Sequence, residues 1–167
     1  MKPHQPSRRR ILSILMPLLL LLPPGATTGA AQILGLGSGS ISALSIPQSG
    51  LIQPATLARM LTSTSKVKPL ILQVGSGTMF YEGHIPGAQY AGQASEPDGL
   101  QSLRSKVASL PRTKLIVVYC GCCPWTHCPN VGPAYHQLID MGFTHVKVLY
   151  LPNNFGTDWV SRGYPVE

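Results

Sequence analysis

The stretch Lys114–Asn130, KLIVVYCGCCPWTHCPN, runs from an apolar segment straight into a cluster of thiols. Lys114–Tyr119 is an unbroken run rich in β-branched residues, which suits a central parallel strand covered on both faces. The run delivers Cys120, and Cys122, Cys123 and Cys128 follow within the next eight positions. After them, Val131, Ala134, Tyr135, Leu138 and Ile139 recur at helical spacing. Asn130 stands where an N-cap belongs and Gly142 where a helix stops. Strand, loop and helix in that order place Cys120 at the carboxyl edge of a sheet, where open α/β sheets bind their ligands. A helix N-terminus and unpaired backbone N–H groups favour negative charge there. A thiolate in such a position is expected to have a lowered pKa and to act as a nucleophile.

Working outward, the same alternation continues. Leu51–Leu61 reads as a short strand and a helix, with Pro54 in the first helical turn. Pro69–Val74 is a second apolar strand, ended by Gly75-Ser-Gly77. Leu100, Leu103, Val107 and Leu110 have helical spacing within 99–110. Thr144–Tyr150 alternates as a third strand, and a last helix is expected around Asp158–Arg162, ending at Gly163. The pattern predicts an α/β fold with a central, mostly parallel sheet and helices on both faces.

The chain has 167 residues, enough for one domain with a core of its own. Its start follows another logic. Residues 1–10 are basic, 11–22 are apolar, and small residues occupy 26–31, the order of a secretory signal peptide. Residues 1–31 are therefore expected to be a cleaved signal, leaving no stable membrane anchor and an exported, periplasmic or extracellular, product. Residues 32–50, Gly/Ser-rich and uncharged, read as a flexible linker before a domain over 51–167. The charge of +7 falls to +3 once Lys2, Arg8, Arg9 and Arg10 leave. That balance, without a basic stripe or aromatic ladder, excludes a nucleic-acid partner.

Three segments resemble the rhodanese family of sulfurtransferases. Gly83-His-Ile-Pro-Gly-Ala88 is similar to the turn that follows its first sheet strand. Ile116–Cys120 looks like the strand that delivers its active-site cysteine, and Trp159–Val166 resembles its usual ending. The resemblance covers roughly 51–167 and implies a rhodanese-like fold. It also implies transfer of a sulfane sulfur, from thiosulfate or another donor to a thiol or cyanide, through a persulfide on Cys120. The partner is then a small sulfur-containing anion or thiol, with no cofactor and no metal in the reaction. His84 in the turn is expected to be structural. Two departures stand out. The loop Gly121–Asn130 is longer than the family's and carries no Arg or Lys, and Gln73 stands where the family commonly has Asp.

In that setting Gly121, Cys122, Cys123, Trp125 and His127 are the candidate substrate-binding residues beside Cys120. Cys122, Cys123 and Cys128 have a second reading. In an oxidising compartment Cys128 could bridge to Cys122 or Cys123, leaving the other as a resolving thiol beside Cys120. An alternative from a different class is a non-catalytic module of the same fold whose cysteine loop binds a soft metal such as Cu(I) or serves as a thiol/disulfide redox sensor.

Overall fold

The computed structural model describes residues 43–65 and 68–167. The expected signal segment, 1–31, lies outside them. Five strands form one sheet: β1 (Leu51–Ile52), β2 (Leu70–Gln73), β3 (Gln89–Tyr90), β4 (Ile116–Tyr119) and β5 (Val146–Leu149). Their order is β1-β5-β4-β2-β3, and every pairing is parallel. The sheet is thus wholly parallel. β4 lies at its centre between β2 and β5, and all four of its residues are buried.

Strand alternation sorts the core into two layers. Ile116 and Val118 of β4 point to the side where Leu103 and Val107 of α3 (Pro97–Val107) and Val131, Ala134, Tyr135 and Leu138 of α4 (Val131–Asp140) pack. Val117 and Tyr119 point to the other side. There they meet Leu57 of α1 (Pro54–Thr62), Phe80 of α2 (Gly77–Glu82), Phe155 of α5 (Phe155–Asp158), and Trp159. Burying one such side chain stabilises the fold by about 1.5–3 kcal/mol. Helices therefore cover both faces, as the unbroken apolar strands require. Cys120, next in the alternation after Val118, falls on the α3/α4 side.

Several expectations shift. α2 and β3 were not read from the sequence, because Gly77–Glu82 and Gln89–Tyr90 are too short to show a period. Ile139 is 41% exposed, at the end of the α4 stripe rather than within it. The last helix is α5 followed by a 3-10 turn over Val160–Arg162, closed by Gly163 at φ +71°. The linker expectation over 32–50 changes at its end. Residues 43–50 form two 3-10 turns and bury Ala43 and Ile46 in the α3/α4 layer. Ala43 and Ile46, together with the hydrogen bonds of Ser45 Oγ to His136 and of Lys147 Nζ to Ser49 O, dock a stretch whose composition reads as flexible. Among the described residues no helix is long and apolar enough to cross a membrane.

Candidate active site

Cys120 leaves β4 buried, the residue only 4% exposed. Gln73, the last residue of β2 and itself buried, holds the backbone around it. Its amide Nε2 donates to the carbonyls of Cys120 and Ser76, each at 3.3 Å, and its Oε1 accepts the Gly75 N–H at 3.2 Å. A neutral carboxamide thus ties the ends of two neighbouring strands at the position where the resemblance implies Asp. Gly75 faces the thiol so closely that a Cβ there would stand 2.7 Å from Cys120 Sγ.

Gly121 turns the chain with φ +81°, against Phe155, whose Cβ lies 2.7 Å from where a Gly121 side chain would begin. The loop then contains a 3-10 turn over Trp125–His127. Trp125 is buried and meets Tyr150 edge-on at 5.1 Å, and its N–H donates to Pro152 O at 3.1 Å. That amide is therefore committed elsewhere, and Pro124 has none to offer. Of the loop amides, that of Cys122 serves Cys120 Sγ.

Three sulfurs come together. Cys120 Sγ lies 3.0 Å from Cys122 Sγ, and Cys122 Sγ lies 3.4 Å from Cys123 Sγ. The three are within 4.8 Å of one another, close enough to share one soft ion. Cys120 is buried, Cys123 half-buried and Cys122 exposed. All four cysteines are free thiols, so the expected bridge from Cys128 to Cys122 or Cys123 is not formed here. Cys128 is buried at the start of α4, where the N–H groups of Val131 and Asn130 serve its sulfur.

The protons are shared unequally, and not as the strand-end position suggested. The hydrogen bonds to Cys122 and then Cys128, followed by burial, hold the Cys120 thiol far above the usual thiol range. Accepting the bond from Cys120 lowers Cys122 to about 6. Cys128 is lowered to about 6, first by its bond from Cys120 and further by the two α4 amides. Burial, then Cys122, raises Cys123 to about 12. The buried sulfur thus keeps the proton and the exposed Cys122 carries charge that water can solvate.

Asn130 is the residue expected to cap α4. It occupies that position, but its side chain makes no capping bond. Its Nδ2 instead donates to Cys120 Sγ at 3.3 Å, and its Oδ1 accepts the Ser95 N–H at 2.9 Å. Neither Asn130 nor Gln73 was marked by the sequence as a site residue. A buried amide beside a strand-end thiol is visible only when the chain is folded. Of the expected binding residues, Gly121, Cys122, Cys123 and Trp125 surround the thiol. His127 is exposed, and its Nδ1 lies 2.9 Å from Thr126 Oγ1. Its backbone carbonyl is what reaches the site, accepting from Cys123 Sγ at 3.8 Å.

Between Cys120, Cys123, Cys128, Trp125, Leu149 and Leu151 is a cavity of about 10 Å³. That is the room of about one water-sized sphere. No Lys, Arg or His side chain lines it.

The wholly parallel five-stranded sheet with helices on both faces matches the fold of solved structures. The rhodanese-like domain of an Anabaena protein is 23% identical, with a TM-score of 0.52 over 71% of this chain and 78% of that one. A crystal structure of the Anabaena protein is 24% identical, with a TM-score of 0.53 over 70% and 90%. A Bacillus halodurans protein is 21% identical, with a TM-score of 0.55 over 71% and 77%. The fold is rhodanese-like. Likeness at these identities extends to the architecture and leaves the chemistry to the site itself. No protein-family model matches the sequence, and no curated protein matches it. Within the rhodanese-like fold His84 has its structural role: its Nδ1 lies 3.0 Å from Phe80 O, and its Nε2 3.3 Å from Glu167 Oε1.

Proposed function

We propose that this domain transfers a sulfane sulfur through a persulfide on Cys120. The observation that carries the reading is the surroundings of Cys120 Sγ: a buried strand-end sulfur with a thiol partner at 3.0 Å and an amide donor at 3.3 Å. Cys122, as a thiolate, takes the Cys120 proton while the Cys120 sulfur attacks the sulfane sulfur of the donor. The donor's leaving group departs with the electrons of the broken bond. The Cys122 N–H and the Asn130 amide then face an anionic sulfur, which hydrogen bonds of that kind stabilise. The outer sulfur matches the one-atom cavity beside Cys120.

The lining argues about the donor. With no cation at the cavity, the sulfonate of thiosulfate lacks a partner. Persulfides and polysulfides present the same sulfur without that charge, and the acceptor is a thiol or cyanide. Intact-mass measurement of protein acid-quenched during incubation with inorganic polysulfide is expected to show the mass of one added sulfur at Cys120 as the first product, with thiosulfate loading more slowly. A protein that gains no sulfur from either donor, even transiently, sinks the reading. The proximity of three sulfurs favours soft-metal binding as the second reading, and stoichiometric copper on purified protein would support it. Export of the domain rests on residues 1–31, and N-terminal sequencing of secreted protein tests it, with a start near Gln32 expected.

A further inference from the structure

We infer that the site also reduces its bound sulfur to sulfide, with Cys122 as the resolving thiol. This rests on the persulfide reading of Cys120 and adds a second outcome for the loaded sulfur. The observation is the contact between Cys120 Sγ and Cys122 Sγ at 3.0 Å, closer than the Asn130 nitrogen at 3.3 Å. It is made to the sulfur that becomes the inner atom of the persulfide. A disulfide needs about 2.05 Å, so bond formation closes roughly 1 Å. Gly121, at φ +81°, is the single residue between the two cysteines and turns the chain there.

Exposure divides the roles. Cys120 is 4% exposed, so a bulky acceptor thiol has little access to it. Cys122 is exposed and lies against it. An intramolecular thiol held in contact reacts with an effective concentration that no solution acceptor reaches. Cys128 is buried and shielded from an external reductant.

The step balances. Loading leaves Cys120 as a persulfide anion and Cys122 as a thiol, because Cys122 has taken the proton. The Cys122 sulfur bonds to Cys120 Sγ and the bond to the outer sulfur breaks. The outer sulfur leaves with the bonding pair and the Cys122 proton as hydrosulfide. The two cysteines are oxidised by two electrons to a disulfide, and the sulfane sulfur is reduced by two. A small dithiol then reduces the disulfide by exchange, entering at the exposed Cys122 sulfur.

The test uses benzenethiosulfonate, whose leaving group is a sulfinate, so any sulfide must come from the protein-bound sulfur. One equivalent is added to reduced, desalted full-length protein, and sulfide, intact mass and non-reducing peptide maps are followed. The wild type is expected to release one sulfide per chain, to lose two hydrogens in mass and to yield a Cys120–Cys122 disulfide. Dithiothreitol should make release catalytic. Cys122→Ser should load more slowly and then hold its sulfur, releasing about tenfold less sulfide. Cys123→Ser should still release sulfide. A wild type that keeps a stable persulfide, or a disulfide that maps to another pair, overturns the inference while leaving sulfur transfer standing. A wild type that neither gains sulfur nor releases sulfide fails the underlying reading instead.

Discussion

The Gly83–Ala88 turn and the Gly121–Asn130 loop both carry polar or reactive groups, and they use them in opposite ways. In the turn, every notable group is spent on structure. His84 stacks on Phe80 at 3.9 Å, and its backbone exchanges two hydrogen bonds with Glu167, at 2.8 and 2.9 Å. The Glu167 carboxylate also accepts the Gly87 N–H at 2.7 Å. The turn is a clasp that fixes the end of the chain. In the loop, Cys120, Cys122 and Cys123 face mainly one another. The segment by which the sequence is most readily recognised is therefore the structural one. The chemistry we propose gathers where the chain departs from the familiar pattern.

The comparison can be broken most directly at Cys120. Cys120→Ser should abolish sulfur loading by intact mass and leave thermal unfolding nearly unchanged, since the two side chains are close in size. Loading that survives in that variant would move the nucleophile elsewhere in the loop. Next is the charge on Cys122. Its alkylation by iodoacetamide should rise with pH through a midpoint of about 6 and fall away below it as the thiolate is protonated. An ordinary thiol would show a midpoint near 8.5, and that result would remove Cys122 as the proton acceptor.

Gly121→Ala sharpens the comparison from the backbone side. A methyl group meets both the positive φ and the Phe155 Cβ at 2.7 Å, so a loss of about 2–3 kcal/mol in denaturant unfolding is expected. Asn130→Ala removes the donor to Cys120 Sγ and leaves the Ser95 N–H unpaired. Loading should slow roughly tenfold, with about 1–2 kcal/mol of stability lost. The smallest effect belongs to the turn. His84→Ala should cost about 1 kcal/mol through its lost bonds and leave loading of Cys120 at the wild-type rate. A large loss of loading there would erase the division between clasp and loop.

By itself the sequence determined the alternation of strand and helix, because unbroken β-branched runs and helical apolar spacing are local signals. The β4 run from Ile116 to Tyr119 and the stripe Val131–Leu138 were legible for that reason, and with them the strand-end position of Cys120. Short elements such as α2 and β3 were not, since six residues and two residues carry no measurable period. The tertiary structure alone decided which groups meet the thiol. Gln73 comes from β2, forty-seven residues away from Cys120, and its polar amide looks like any surface glutamine until the strands pair. Asn130 lies within the loop, yet whether it caps α4 or reaches Cys120 depends on where β3 and the Ser95 N–H stand. The sharing of protons among the sulfurs was equally hidden. Position at a strand end favours a thiolate, but Cys120 is buried and donates toward Cys122 and Cys128, so it keeps its proton. Both of those thiols are lowered, the exposed Cys122 and the buried Cys128 alike, because each accepts a hydrogen bond from Cys120.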